Sequence, residues 1–437
     1  MKKNPNLTLP LELIGEILLR LPVRSVVRFK LVCKSWLSLI SEPQFGLSHY
    51  DLAAAPSHRL FLISNDSYAE SLDFRSSPLG AHSSVVRLPL PPTSPPFRDE
   101  HRHRDHHDKH EIVGSCRGLI VLYFERSCDL IIWNPSIGVY ELLPKFDYGI
   151  TRLYLFGFGY DTASDDYLLV LIGLFNEYRS DEDSDDGDAS EESACRVDYQ
   201  VISFKSDSSD TGDVFVRYVI LSDRFRCGVL FNVALHWLVF SKEKRVPVIL
   251  VFDLIKRGFS EIPLFGCITM EKYEVNSFRV MGGCLSVCCS LRDSAVDEIW
   301  VMKEYKEESS WTKFVVIPSN GFSPICFAED GGIIGSNVDG RLEKLNDKGE
   351  VLDHFVYGEG QWLYSADLQC AVYRESLVSL SSVVPETREY GHGETSEEDD
   401  SGETFVYRES LLSVSGIIPL TGEYDLGETS EDDCESC

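Results

Sequence analysis

The segment FRDEHRHRDHHDKH (97–110) holds the densest group of side chains that can bind a metal ion. Its pairs His103–His107 and His106–His110 are four residues apart, so on a helix each pair would share one face and could hold a divalent cation. No cysteine set or fixed carboxylate completes such a site, and the four prolines just before the segment predict a loop. We therefore favour solvated loop histidines over a metal site.

Two further segments resemble known motifs but lack the required spacing. In the acidic run DEDSDDGDASEE (181–192), a calcium loop starting at Asp181 would have Asp186 where Gly is needed, and the next register ends on Ser193 instead of Glu. The terminal CESC (434–437) has the C-x-x-C form but no second pair. No nucleophile elbow, P-loop or H-E-x-x-H motif occurs. The sequence therefore predicts no catalytic residue, no cofactor and no metal, and hence a protein that is not an enzyme.

The charge and the cysteines restrict the partners and the compartment. The formal net charge is −29, but most of it lies in two segments: 181–192 has eight acids and no Lys or Arg, and 386–437 has sixteen acids against two arginines. A nucleic-acid binder needs a basic face, so we expect no nucleic-acid partner. The thirteen cysteines have no disulfide-like spacing, and no secretory signal or membrane-spanning apolar run occurs. We expect a cytoplasmic and/or nuclear protein with reduced thiols and no membrane partner.

The first 45 residues predict three short amphipathic helices. One apolar stripe at helical spacing follows Pro10 and consists of Leu13, Ile14, Ile17, Leu18 and Leu21. Pro22 is expected to stop this helix, because its ring clashes with the preceding turn. Apolar runs at 23–31 and 36–40 predict the other two helices. Because helices this short cannot bury all their apolar surface against one another, a partner or the following domain must cover the rest.

From residue 50 onward, short β-type runs alternate with turn residues. One unit recurs: an apolar strand with an aromatic-plus-Asn/Asp signal, a turn, and a strand that ends in Leu-Pro or Ile-Pro. Three clear and two weaker copies span 129–144, 248–263, 297–318, 198–221 and 341–352. Trp133, Phe252 and Trp300 mark equivalent strands, and the period of roughly 50 residues is that of kelch-type propeller blades with four strands each. Gly-rich segments at 114–123, 156–160 and 281–289 predict buried strands between these hairpins.

The N-terminal residues resemble the F-box through Leu9-Pro10, the stretch ILLRLPV (17–23) and the run VCKSW (32–36). In that family the motif docks on a Skp-type adaptor, which is itself bound to a cullin–RING ubiquitin ligase. The resemblance implies that twelve residues bind the adaptor: Leu9, Pro10, Leu13, Ile17, Leu18, Leu21, Pro22, Val23, Val32, Cys33, Lys34 and Trp36. Apolar periodicity alone leaves open a generic three-helix cap packed on the β domain.

The β-rich part resembles the plant F-box-associated domain, in family order from about 110 to 380. The resemblance rests on SCRGLIVLY (115–123), FGFGYDTASDDYLLV (156–170), NVALHWLV (232–239) and EIWVMKEY (298–305). It implies an α+β multidomain protein: a small N-terminal three-helix F-box followed by an all-β, β-propeller-like (kelch-like) F-box-associated domain. We expect an F-box at 1–48, the β domain at 50–380 with an acidic insertion at 178–195, and an acidic tail at 381–437. One departure is Asn232-Val233, where the family has an Asn-Gly-like turn.

The acidic tail contains a duplicated segment. VYRESLVSL (372–380) resembles the family's closing strand, and VYRESLLSV recurs 34 residues later at 406–414. One copy is enough to close a propeller, so we expect the second to be poorly ordered or loosely docked, since its acidic surroundings bury little apolar area. Ser396 and Ser430 precede acid runs, the context that acidophilic kinases prefer. A phosphorylated tail and a plain solvated tail are the two interpretations.

Together the two resemblances imply a substrate-recognition subunit of an SCF-type (cullin–RING) E3 ubiquitin ligase. The F-box would bind a Skp-family adaptor, and through it the cullin and RING subunits. The β domain would bind an unknown target protein for ubiquitination and proteasomal degradation. The alternative is a ligase-independent β-propeller protein-interaction module.

Overall fold

The computed structural model describes residues 9–53, 57–63, 68–75, 79, 84–93, 110–143, 150–175, 196–205, 209–213, 218–266, 272–318, 321–337, 341–356 and 369–383. Several predictions concern segments outside these residues. They are the histidine segment as far as residue 109, the acidic run 181–192, the second copy at 406–414, the candidate phosphorylation sites Ser396 and Ser430, and CESC at 434–437.

Four helices form the N-terminal module: α1 (Leu11–Leu18), α2 (Val23–Phe29), α3 (Lys34–Ser41) and α4 (Pro43–Leu52). The sequence predicted only three. The additional helix, α4, begins with Pro43 at a position where a missing N–H costs nothing. Its fully buried face consists of Phe45, Gly46 and His49, and Leu47 and Tyr50 are partly buried against the β domain. Because that face contains only one large apolar residue, α4 gave no apolar stripe in the sequence.

Pro22 separates two helices. Helix α1 ends at Leu18, and helical-type turns continue as far as Leu21, whose N–H donates to the Leu18 carbonyl. The chain leaves the helical conformation at Pro22, as predicted, and α2 starts directly after it. The carbonyl of Pro22 accepts hydrogen bonds from the N–H groups of Ser25 and Val26, at 2.9 and 3.2 Å. Pro10 plays the same part for α1. A proline at this position is compatible with a helix because the first N–H groups have no partner within the helix.

Six antiparallel sheets follow the helices and form a six-bladed propeller. Blade 1 contains β1 (His58–Ile63), β2 (Tyr68–Leu72) and β3 (Val85–Pro89). Blade 2 contains β4 (His110–Cys116), β5 (Leu119–Phe124), β6 (Asp129–Asn134) and β7 (Val139–Leu142). Blade 3 contains β8 (Ile150–Asp161), β9 (Asp166–Phe175), β10 (Arg196–Ser203) and β11 (Ser209–Asp213). Blade 4 contains β12 (Tyr218–Ile220), β13 (Val229–Phe231), β14 (Ala234–Ser241), β15 (Val246–Asp253) and β16 (Gly258–Pro263). Blade 5 contains β17 (Tyr273–Met281), β18 (Cys284–Leu291), β19 (Val296–Met302) and β20 (Trp311–Pro318). Blade 6 contains β21 (Ser323–Phe327), β22 (Ile333–Ser336), β23 (Arg341–Leu345) and β24 (Val351–Val356).

The three clear copies of the hairpin predicted from the sequence are the outer halves of blades 2, 4 and 5. The weaker copy at 341–352 falls on the outer half of blade 6, whereas the one at 198–221 runs from blade 3 into β12 of blade 4. Trp133 lies on β6, Phe252 on β15 and Trp300 on β19. Each of these strands is the third of its sheet, counted outward from the propeller axis. Their equivalence is thus confirmed. The Gly-rich segments differ from expectation, because 114–123 and 281–289 each contain a hairpin turn instead of one continuous strand.

The core consists of one apolar cluster between each neighbouring pair of blades. Strand β9 shows why the strands are apolar at nearly every position. Leu168 and Val170 pack toward blade 4, whereas the alternating Leu169 and Leu171 pack toward blade 2. A strand with both faces buried loses the alternation of apolar and polar residues seen in half-exposed sheets.

The ring of blades is closed by the last strand, β25 (Cys370–Arg374), which joins blade 1 as its innermost strand. It pairs antiparallel with β1, with Leu60 opposite Val372. The backbone then continues as far as Val383, and we name residues 369–383 the closing segment. Beyond β25 it runs over blade 2, where the buried Nδ2 of Asn134 donates to the carbonyls of Ser376 and Val378, at 3.2 and 2.9 Å.

We expect Gly118→Ala to destabilise the protein more than Gly283→Ala. Both glycines are the second residue of a two-residue hairpin turn with positive φ, 83° and 75°, so Ala costs about 1–2 kcal/mol at either. At Gly118 the new methyl group would also collide with Ser376 and the carbonyl of Arg374 in the closing segment, whereas nothing lies within 4 Å at Gly283. Overpacking adds about 1–3 kcal/mol. Urea unfolding measures the difference, and equal losses would contradict close packing of the closing segment against this turn.

Candidate functional site

Helix α1 is apolar on two sides, and only one of them is covered. Ile14 and Leu18, one turn apart, pack into the core of the helical module. Leu13 and Ile17, also one turn apart, lie on another side and are each 51% exposed. The sequence predicted one apolar stripe on α1, whereas the structure shows two apolar sides, one covered and one exposed. A helix that is apolar on a solvent-exposed side indicates a surface that a partner covers.

Exposed apolar side chains are concentrated in the helical module, beyond the exposed side of α1. Seven of the nineteen exposed large apolar side chains in the described residues fall within 9–37, although this stretch is a small part of the chain. We call these seven the apolar surface of the module: Leu9, Leu11, Leu13, Ile17, Leu31, Val32 and Leu37. Singly exposed apolar residues need no explanation, but such a local concentration is typical of a protein-interaction site.

The structure divides the twelve predicted adaptor-binding residues into three groups. Exposed to solvent are Leu9, Pro10, Leu13, Ile17, Pro22, Val32, Cys33 and Lys34. Leu21 and Trp36 are half-buried, and Trp36 packs edge-on against Phe29 with ring centroids 5.5 Å apart. Leu18 and Val23 are buried inside the module, so they support the surface from within.

Three residues of the apolar surface were missed by the sequence reasoning: Leu11, Leu31 and Leu37. Leu11 lies seven residues before the buried Leu18, a spacing that predicts the same buried side of α1. Leu11 is exposed because it stands in the first turn, beyond the reach of the other helices. Leu31 lies in the turn between α2 and α3, where helical periodicity gives no signal.

Stacked cations and aromatic rings join the helical module to the propeller. The guanidinium of Arg374 in the closing segment lies 4.1 Å from the ring centroid of Tyr50 on α4, and its Nη2 donates to the Tyr50 carbonyl. Arg117, from the β4–β5 turn, lies 5.2 Å from the same ring and 4.3 Å from that of Tyr160. Each well-placed cation–π pair contributes about 0.5–2 kcal/mol, so the contact orients α4 on the propeller.

The closing segment also contributes to the core of the helical module. Leu377 is buried in one cluster with Leu18, Val26 and Phe45. A methyl group at Gly46 of α4 would collide with the backbone carbonyl of Leu377, so glycine permits this close approach. The module is thereby packed on the propeller instead of hanging from a linker.

A second candidate site is a cavity at the propeller axis, with a volume of about 290 Å³. It is lined by the inner strands of several blades, including Glu111 on β4, Glu274 and Arg279 on β17, and Gln369 just before β25. Arg226 donates from Nη1 to Oε1 of Glu111 at 2.7 Å and from Nη2 to the Leu153 carbonyl at 2.6 Å. The wall therefore presents fixed charges of both signs.

The axial cavity lies at the opposite end of the propeller from the helical module. Inner strands begin near the cavity, at Glu111, Glu274 and Gln369. They end near the helical module, where Arg117 and Arg374 hold Tyr50. Strand β4 has seven residues and is therefore roughly 20 Å long, so about this length separates Glu111 at the cavity from Arg117 beyond the other end of the strand.

In the described part of the chain, the structure holds no group of three or more His, Cys, Asp or Glu side chains placed to bind a metal ion. No helix there has both the length and the apolar character needed to cross a membrane. The nine cysteines in the described ranges are free thiols.

We expect His49 to make the helical module sensitive to acid. Its Nε2 lies 2.7 Å from the Leu21 carbonyl. Burial lowers the pKa of His49 and Arg374 lowers it further, although the Leu21 hydrogen bond raises it. Since the unfolded chain then binds the proton more readily, the stabilising contribution is complete above the ordinary histidine pKa, and it is lost as the pH falls from there through the lowered pKa of the folded state. Urea midpoints should fall between about pH 7.5 and 5.5, and less so for His49→Gln, which keeps an N–H donor. The same slope in both proteins would contradict this account.

Both parts of the chain match models of known protein families. Residues 83–379 match the F-box associated beta propeller domain, and residues 7–48 match the F-box domain. The F-box/kelch-repeat protein At3g23880 of Arabidopsis thaliana is 29% identical over 319 residues, which cover 71% of this chain and 79% of that protein. The F-box protein CPR1 of Arabidopsis thaliana is 29% identical over 336 residues, 71% and 73% of the two chains. The chain therefore belongs to the family of F-box proteins with an F-box-associated β-propeller domain.

Proposed function

We propose that this protein is the substrate-recognition subunit of an SCF-type ubiquitin ligase. F-box proteins are in general adaptor subunits without catalytic activity of their own, and the propeller is the substrate-binding domain. The observation that carries the proposal is the apolar surface of the module, which lies on an F-box and which no described part of the chain covers. A Skp-family adaptor would cover it and connect the chain to the cullin and RING subunits.

The rigid attachment of the F-box to the propeller suits a subunit that acts by proximity. Ubiquitin transfer needs a target lysine close to the charged enzyme, and a fixed geometry raises the effective concentration of the reacting groups. The packing of Leu377 and the contacts of the Tyr50 ring with Arg117 and Arg374 favour one orientation of the two parts. A flexible linker would lower that effective concentration.

We place the target-binding surface at the end of the propeller that carries the axial cavity. That end faces away from the F-box, so a bound adaptor leaves it accessible. Strands β3, β9 and β24 end there, and the connections that follow them, 90–109, 176–195 and 357–369, are the longest between strands. Long connections on a rigid scaffold are where binding residues concentrate. A polar segment of a target protein fits the mixed charges of the cavity.

The division of the chain into an F-box at 1–48, a propeller at 50–380 and an acidic tail at 381–437 stays a prediction, as does the cytoplasmic or nuclear location. Phosphorylation of Ser396 and Ser430 in the tail is likewise untested.

We expect Ile17→Asp and Val32→Asp each to weaken adaptor capture at least tenfold, since a charge would be buried in an apolar interface. Both side chains are exposed, so the free energy of unfolding should change by less than about 0.5 kcal/mol. Leu52→Asp is the matched control, because Leu52 is equally exposed but lies at the end of α4, outside the apolar surface. The measurement is co-expression with a Skp-type adaptor, pull-down and titration.

Two outcomes of that experiment would overturn the proposal. Wild-type protein that is folded but ignores the adaptor would favour the ligase-independent interaction module. Equal capture by wild type, Ile17→Asp and Val32→Asp would show that the adaptor binds elsewhere.

We expect Glu274→Arg to reduce target binding without changing adaptor capture, because Glu274 lines the axial cavity and is exposed to solvent. Glu308→Arg is the matched control. Strand β19 runs parallel to β17 in blade 5, so the turn that follows it, with Glu308, lies at the F-box end. Ubiquitinated proteins that co-purify with each variant under proteasome inhibition should be depleted for Glu274→Arg alone. Equal depletion, or none, would contradict the assignment of the target surface.

A further inference from the structure

The closing segment occupies a slot that recognises several of its side chains individually. The slot lies between β1, blade 2 and the F-box. The Tyr373 hydroxyl lies 2.7 Å from Oγ of Ser71, and Oε1 of Glu375 lies 3.3 Å from Nε of Arg24. Arg374 stacks on the F-box helix α4, Ser376 is bonded by Asn134, and Leu377 enters the core of the F-box. Occupancy of the slot therefore depends on sequence as well as on strand pairing.

The second copy of this sequence carries the same residue at every one of these positions. With the offset of 34, residues 373–377 correspond to Tyr407, Arg408, Glu409, Ser410 and Leu411. The second copy thus has the same residue types that are a buried tyrosine, an ion-paired glutamate and a core leucine in the first copy. Every specific contact described for the first copy can thus be made by the second.

Beyond Leu377 the two copies differ in a way that conserves the packing volume. Val378 becomes Leu412, and Leu380 becomes Val414. Val378 and Leu380 belong to the same buried cluster between blades 2 and 3. In the second copy, the first of these positions gains a methylene group and the second loses one, so the summed side-chain volume is unchanged. Volume-conserving exchanges of this kind are the changes that cores tolerate best.

Before Tyr373 the differences favour the first copy. Cys370 is buried in the cluster between blades 6 and 1, and its counterpart is the polar Thr404. Ala371 is half-buried, and its counterpart is the much larger Phe405. A buried hydroxyl and an overpacked position both carry a cost, so the first copy is the preferred occupant.

The connection to the second copy is long enough to reach the slot. Residues 357–369 connect β24 to β25 in the structure, and residues 357–403 would make the same connection for the second copy. The entropic cost of closing a loop rises only with the logarithm of its length. Being on the same chain, the second copy is present at high effective concentration.

We propose that residues 404–414 form a second closing strand, which takes the slot between the F-box and blade 2 when the first copy leaves it. The partner of this surface is therefore the chain's own tail. Exchange keeps the ring of blades closed and the F-box attached. Residues 370–403 then become part of the connection between β24 and the second copy. The inference concerns the closure of the fold and holds whether or not the protein joins a ligase.

A double-mutant cycle in the full chain tests the exchange. Leu411→Asp alone should leave the unfolding temperature unchanged. Leu377→Asp disables the first copy, and we expect a lowered but still cooperative transition because the second copy fills the slot. The double variant should unfold at least about 5 °C below Leu377→Asp, or fail to fold, because no intact strand remains. A Leu377→Asp chain that does not fold, or that shares its midpoint with the double variant, would overturn the proposal.

A disulfide reports the position of the second copy directly. His58 on β1 is paired with Arg374 in the structure, so Arg408 should lie opposite His58 after exchange. Cα atoms paired across antiparallel strands are about 4.5–5.5 Å apart, which permits a disulfide. In the Leu377→Asp chain, His58→Cys with Arg408→Cys should cross-link on oxidation, as mapped by peptide mass spectrometry. The pair His58→Cys with Arg374→Cys is the control in the otherwise unchanged chain. A folded Leu377→Asp chain without the first cross-link would contradict the exchange.

Discussion

The rest of the structure depends on how the closing segment pairs with blade 1 and packs against blade 2 and the F-box. Its first part is the innermost strand of blade 1 and completes the ring through β1. The residues after Arg374 are held by Asn134 of blade 2 and pack into the core of the F-box. One short stretch of chain thus closes the propeller and orients the helical module. Glycines at 46 and 118 allow the close approach on its two sides.

This arrangement gives the molecule two ends with different chemistry. One end presents apolar side chains of the F-box, which are favourable to bury against an adaptor because each square ångström of apolar surface removed from water contributes about 25 cal/mol. The other end presents a polar cavity with fixed charges and the longest connections between strands. In the proposed function, the packed contacts between the F-box and the propeller would hold a target at a constant distance from the enzyme that modifies it.

The sequence predicted the features that depend on local patterns. The hairpins marked by Trp133, Phe252 and Trp300 were recognisable because their apolar runs and turn residues are adjacent in the chain. The division of α1 into a covered and an exposed apolar side, and the existence of α4, were not predictable in this way. The covered side of α1 lies in one cluster with Leu377, and Tyr50 of α4 contacts Arg374. Both partners are more than 300 residues away in the chain, so local periodicity does not indicate these contacts. For the same reason Leu18 and Val23 could not be separated from the exposed residues Ile17 and Val32.

Hydrogen–deuterium exchange of the full chain, with and without a Skp-type adaptor, tests the central claim most directly, because it maps where the adaptor binds and whether the closing segment holds in both states. The account predicts new protection in α1 and in residues 31–37, with unchanged strong protection of residues 372–378. Protection confined to the propeller would contradict an F-box that binds the adaptor. Rapid exchange of residues 372–378 in either state would contradict a rigid attachment of the F-box through the closing segment.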